Sequence, residues 1–248
     1  MKHLYKATFF CILFSLMMAS VQAQMFSVGG QNSGAKSVRS AMATVQLVDF
    51  TTHDSGKSTT LFDGAYLYGA SLSDDHLLLR AGFGTQNTTT IERRLFDVYL
   101  MSWRGVPLTR SQKVQLELPL AVGGTFKKLS QKLLNSNFES VVTIGTPAAG
   151  TGLALTLNPN QHVSLHLHGI GNVGFTFLND GGRGVALLSD VSAELRLIEV
   201  FGRFGLTLGY DFQTQESRPN YNSSWISNLK GEFQQNTVHH AFRIGLNF

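Results

Sequence analysis

Acid–base chemistry in this chain would fall to four histidines, His166, His168, His239 and His240, with Asp49, Asp63, Asp190 and Asp211 as candidate carboxylate partners. A histidine held by a carboxylate beside a hydroxyl can activate a nucleophile for peptide or ester hydrolysis. No serine or threonine is tied to any of these histidines by spacing, so no catalytic residue is assigned. His166, His168 and His239 stand only as weak enzyme candidates, and ordinary polar positions are the preferred reading. His166 and His168 also offer two metal ligands without a clear third. No phosphate loop, dinucleotide fingerprint, calcium loop or haem motif is present, and no cofactor or metal is expected.

A second set of charges carries more meaning. Arg80, Glu117, Glu194, Arg196, Asp211 and Arg243 stand singly on the small, polar faces of segments whose other faces are apolar. Such charges either line a narrow pore or pair into a core that seals it, and sealing is the preferred reading. Either role requires extended elements that turn these side chains inward.

The elements are legible as period-2 alternation. In the last twelve residues Val238, Phe242, Ile244, Leu246 and Phe248 share one face, spoiled only by His240, while Arg243 and Asn247 lie opposite. Ten such segments are expected, at 42–50, 61–71, 76–86, 92–103, 113–123, 142–157, 162–177, 187–198, 203–213 and 237–248. In the second, Phe62, Tyr66 and Tyr68 are expected on one face. Pro119 inside the fifth calls for a bulge. Residues 124–141 read as a long loop with room for a short helix. A further strand within 225–233, partnered by 25–30, would raise the count to twelve. His166 and His168 fall on one inward face near the tight turn at 158–161, which puts them towards the end carrying the termini.

The polar faces separate two all-β folds. A soluble sandwich exposes them to water and commonly fills them with long charged side chains. Here they rely on Gly, Ala, Ser and Thr, which suits the narrow interior of a barrel whose apolar faces meet lipid. The expected fold is therefore an antiparallel transmembrane β-barrel of ten strands, with twelve as the alternative. No stretch after residue 24 is apolar enough for a membrane helix.

The chain opens with Lys2 and Lys6, an apolar run from Ala7 to Ala19 and the small-residue site Val21-Gln22-Ala23, the pattern of a cleaved signal peptide over 1–23. A lead-in over 24–41 and a barrel over 42–248 would come after it. Cleavage removes the lone cysteine, Cys11, and with it thiol or disulfide chemistry. Losing Lys2 and Lys6 lowers the formal charge from +4 to +2, too little to argue for nucleic acid.

The closing segment resembles that of bacterial outer-membrane β-barrel proteins, which often end in an alternating aromatic-apolar strand with a final Phe. Phe242, Ile244, Leu246 and Phe248, with Gly245 at a small position, look like the insertion signal of that class. The resemblance implies residence in the bacterial outer membrane among its lipids, with periplasmic chaperones and the barrel-assembly machinery as transient partners. The functional expectation is a small structural or narrow-channel barrel with a charged, Gly-rich lumen. The alternatives are a barrel-embedded hydrolase (a protease or lipid-modifying enzyme) and a surface-binding or adhesion protein acting through loops at 124–141, 178–186 and 214–236.

Overall fold

The computed structural model describes residues 38–54, 57–111, 113–135, 139–179, 181–221, 231–232 and 234–248. The expected signal peptide and most of the lead-in lie outside the described residues, as does the 25–30 half of the twelve-strand alternative. The described chain is built of strands: β1 (Ser40–Asp54), β2 (Lys57–Ser73), β3 (Leu77–Asn87), β4 (Ile91–Arg110), β5 (Val114–Leu133), β6 (Glu139–Asn160), β7 (Val163–Leu178), β8 (Arg183–Phe201), β9 (Phe204–Tyr221), β10 (Gly231–Glu232) and β11 (Gln234–Asn247). Each long strand pairs antiparallel with the next, and β11 returns to pair with β1 from Asn247↔Ser40 to Gln234↔His53. The two-residue β10 pairs only with β9 and continues the line that β11 makes along it. The result is a closed ring of ten strands with the start of β1 and the end of β11 at one rim, where Arg39 and Phe248 exchange backbone hydrogen bonds.

Alternation decides which side chains enter the ring. Along β3 the side chains of Leu78 and Arg80 are buried inside, while Phe83 on the opposite parity is 50% exposed. Closure leaves no unpaired edge around the ring, the condition for a strand protein to sit in hydrocarbon. The outer face supplies the matching surface. Tyr66, Phe83, Phe96, Phe126 and Phe175 stand exposed towards the far end, opposite the termini. Rings of this kind mark the membrane–water boundary of outer-membrane barrels. His240, the exception on the apolar face of β11, points outward and is held by the Tyr210 hydroxyl at 2.8 Å, with the Phe212 ring 5.1 Å away.

Four sequence expectations change here. The segment 124–141 is not a loop with helix: β5 runs on to Leu133 and β6 begins at Glu139. Its helix-like spacing arose from two faces, because Phe126 is exposed outside whereas Leu129 is buried inside. Likewise, 214–221 continues β9, so the polar run there reflects a strand whose inner row is Gln213, Gln215 and Ser217. Pro119 makes no bulge: β5 keeps one register with β6 from Glu117↔Ala154 to Leu120↔Thr151, with no partners at Leu118 and Pro119. The Thr151 hydroxyl instead donates to the Pro119 carbonyl at 2.7 Å, and the register shift falls at Pro107/Thr109 on β4.

Phe62 is the fourth. It is fully buried inside, because β2 carries register shifts against β1 between Val48 and Thr51. An extra residue in one strand reverses the facing of each later residue until the next shift. Gly64 takes the left-handed conformation there (φ 57°), and its N–H donates to Asp49 Oδ1 at 2.6 Å. One consequence is a weak seam. The β2–β3 ladder stops at Tyr68↔Phe83 although both strands continue towards the far rim. Side chains take over: the Gln86 amide donates to the Asp63 carbonyl at 3.0 Å and accepts its N–H at 3.3 Å, while Arg93 Nη1 donates to the Leu61 carbonyl at 2.8 Å.

Inside the ring, towards the far end, the wall built by β1, β2, β4, β5 and β6 is apolar, whereas β9 and β11 turn Gln215, Ser217 and Gln235 inward. Val48, Phe50, Phe62, Leu67, Leu95 and Ile144 belong to one buried cluster drawn from several strands. A second cluster, including Leu78, Tyr99, Met101, Trp103 and Ile170, lines one wall nearer the termini. The charged groups occupy what these clusters leave.

Candidate functional site

Five of the six charges singled out in the sequence meet in the interior as one chain of alternating sign. Arg80 Nη1 (β3) lies 3.0 Å from Asp211 Oδ2 (β9), and Asp211 Oδ1 lies 2.7 Å from Arg243 Nη2 (β11). Arg243 Nη1 lies 2.9 Å from Glu194 Oε2 (β8), and Glu194 Oε1 lies 2.6 Å from Arg196 Nε. Arg196 then reaches Asp75 in the β2–β3 turn. Neutral donors and acceptors complete the chain: Arg80 Nη2 donates to Gln213 at 2.7 Å, Ser192 donates to Asp211 at 2.8 Å and Ser73 donates to Glu194 at 2.9 Å. Such partners are what a buried ion pair needs to offset lost hydration.

A second knot lies farther from the termini. Lys127 Nζ is 3.4 Å from Asp97 Oδ1 and donates to Gln215, which in turn donates to Thr146 at 2.9 Å. Sequence reasoning missed Lys127 as an interior charge because its segment read as a loop. Asp97 stood on the correct face without being named as a partner, and the signal available was its place opposite Phe96 and Val98. Counting Asp190 as well, the buried interior charges among the described residues are Arg80, Lys127, Arg196 and Arg243 against Asp97, Asp190, Glu194 and Asp211, four of each sign.

Glu117 does not join them. Its side chain is 26% exposed at the terminal rim, where Oε2 lies 3.7 Å from Nε2 of His76. The hydrogen bond to Glu117 raises the His76 pKa above its usual 6.5, against the opposing effect of burial.

The histidine candidates separate from one another. His166 and His168 both line a small cavity of about 40 Å³ at the terminal mouth, together with Asp75, Trp103, Glu194 and Arg196. His166 Nε2 is 2.9 Å from Ser164 Oγ and 3.3 Å from Arg196 Nη1, and Nδ1 is 3.1 Å from Thr156 Oγ1. The Ser164 hydroxyl donates to Asn158 Oδ1 at 2.6 Å, so its proton is directed away from the imidazole. A hydroxyl rather than a carboxylate holds the far ring nitrogen. Neither feature suits an activated nucleophile. His168 Nε2 lies 2.9 Å from Asp190 Oδ2, and its ring centroid is 4.8 Å from that of Trp103. His239 is fully buried on β11, 4.0 Å from Asp97 Oδ2, with neither ring nitrogen hydrogen-bonded to protein.

The closing strand presents Phe242, Ile244, Leu246 and Phe248 outward at 61%, 56%, 48% and 58% exposure. Gly245 sits where an added Cβ would fall 2.0 Å from the Ala41 carbonyl of β1, so a side chain there would press on the seam that closes the ring.

An edgeless ring of ten antiparallel strands, apolar outside and charged within, defines a transmembrane β-barrel of the bacterial outer-membrane type. Among solved structures the chain is similar to the outer membrane protease OmpT from Escherichia coli, at 10% identity over 90% of this chain and 99% of that one, with a TM-score of 0.49. It is also similar to the translocator domain of the autotransporter NalP from Neisseria meningitidis, at 9% identity over 94% and 96%, TM-score 0.39. A third is the outer membrane protein OprG from Pseudomonas aeruginosa, at 9% identity over 85% and 93%, TM-score 0.37. No family model and no curated protein sequence matches the chain.

Proposed function

We propose that this protein is a sealed structural barrel of the outer membrane rather than a solute channel. The observation that carries the reading is the balanced interior: four buried cations face four buried carboxylates, and the unbroken run from Arg80 to Asp75 crosses between β3, β9, β11 and β8. Beyond that run, the apolar cluster around Phe50, Phe62 and Leu129 covers one wall, and the Lys127–Asp97 pair with Gln215 ties across the space beside it. An ion entering at the rim of tight turns, the periplasmic one on this reading, would have to break the charge-assisted pairs of the run and then those of this second knot. Each step is unfavourable in a low-dielectric interior.

The hydrolase alternative finds less support, since the Ser164 proton points to Asn158 and the Thr156 hydroxyl rather than a carboxylate holds His166 Nδ1. The surface-binding alternative loses most of its 124–141 loop to β5 and β6, and part of the other two to β8 and β9. Planar-bilayer recording tests the proposal: the purified barrel should add no step conductance to an empty bilayer. Reproducible unitary currents from the unmodified chain would make it a channel instead. We also propose that the segment over 1–23 is removed as a signal peptide and that the closing strand is the element read during assembly. N-terminal sequencing of the membrane-extracted protein, beginning at Gln24, checks the first.

A further inference from the structure

We propose that the outer wall of β4 and β5 holds a phosphorylated lipid of the outward-facing leaflet, with phosphate at Lys128 and Arg94 and acyl chains against Phe96 and Phe126. Lys128 is exposed, and its cross-strand partners are Phe96 on β4 and Thr143 on β6, neither acidic. Phe126, two residues earlier on the same face, and Phe96 are each 38% exposed, giving apolar ground directly on the membrane side of the cation.

Arg94 pairs with Ser130, which makes Lys128 and Lys132 its two diagonal neighbours on β5. On an antiparallel pair such diagonals lie about 7–8 Å apart, close enough for one phosphate group to span two of them. Arg94 Nε is bonded to Glu92 at 2.8 Å, and Lys132 faces both Glu92 and Glu139, so acids accumulate on the side away from the membrane. The excess positive charge is thus left at Lys128, nearest the aromatic ring of residues. The β1–β2 wall, beyond β3, carries Asp49 and Asp63 instead, which gives the barrel a preferred side. All of these groups stand on paired strands, so the site needs no ordering to form.

The test uses the folded full chain in neutral maltoside micelles, titrated with diphosphoryl lipid A and read by native mass spectrometry. Lys128→Glu combined with Lys132→Glu should lower the lipid-bound fraction about fivefold or more, the scale of losing exposed charge pairing. Lys113→Glu, an exposed change at the periplasmic turn, should leave the fraction unchanged, and Lys128→Arg should retain it. Raising salt should weaken binding to the unmodified chain, because exposed charges are screened. If the glutamate variants fail the heat-modifiable mobility check for folding, Lys128→Gln and the salt titration supply the same readout. The proposal is overturned if binding is indifferent to Lys128, if Arg183→Gln on β8 causes the larger loss, or if dephosphorylated lipid binds equally well. Displacement of the lipid by inorganic phosphate alone would assign the site to a free anion and overturn it too.

Discussion

Arg80 on β3 and Asp211 on β9 meet at 3.0 Å inside the barrel with both side chains fully shielded from solvent, although they stand 131 positions apart in sequence. Asp211 also receives Arg243 and Ser192, so a single carboxylate ties β3, β8, β9 and β11 together. Removing it leaves Arg80 buried with no carboxylate partner and Arg243 with Glu194 alone. Asp211→Ala should therefore cost about 3–5 kcal/mol of stability, the range for breaking one side of a buried pair. Urea unfolding in lipid vesicles measures it. A loss as small as that of an exposed surface substitution would show that the network is hydrated rather than sealed.

The apolar cluster makes a separate prediction. Phe50 and Phe62 are at most 1% exposed and pack in the same cluster from β1 and β2. Phe62→Ala should destabilise by about 3–5 kcal/mol, because the cavity left behind lies among strands that cannot collapse to fill it. The same unfolding assay applies, and a near-neutral outcome would place that side chain outside the core.

The side-chain patch over the β2–β3 seam should be the wall's most easily opened region. Arg93→Ala removes the donor to the Thr60 and Leu61 carbonyls, and Gln86→Ala removes both bonds to Asp63. Each change should cost about 0.5–1.5 kcal/mol, the net worth of an ordinary hydrogen bond, because water can reach most of the groups left behind. Hydrogen exchange should accelerate over residues 59–67 and leave β5–β7 unaltered. Uniform acceleration around the ring would argue against a local seam.

At the rim that carries Phe248, His76 and Glu117 should confer a pH dependence of definite sign. Hydrogen bonding to Glu117 raises the His76 pKa in the folded state above 6.5. The stabilisation is thus fully present below the unfolded-state value and disappears as pH rises through the folded-state value. The unfolding midpoint should fall between mildly acidic and mildly alkaline buffer, and His76→Gln should flatten that part of the profile. The effect should be small, since half of the His76 side chain is exposed.

The residue order alone was enough to place ten strands and to sort nearly every side chain to its face, because a period of two is a local property of extended backbone. It also located the interior charges on β3, β8, β9 and β11, where a charge interrupting a small, polar row is conspicuous. Strand ends escaped it, since beyond the lipid both faces of β5 and β9 become polar and the alternation fades. Phe62 was misplaced for a different reason: the shift that turns it inward belongs to the pairing of β2 with β1, which neither strand carries by itself.

Which charges meet is settled only when the ring closes. Arg80 could have paired with any interior acid on its own faces and spacing. The register of β3 against its neighbours and the closure of β11 on β1 bring Asp211 to it. Facing is written residue by residue along the chain, whereas pairing depends on how far each strand slides past the next. That slide is a property of the whole circuit of strands.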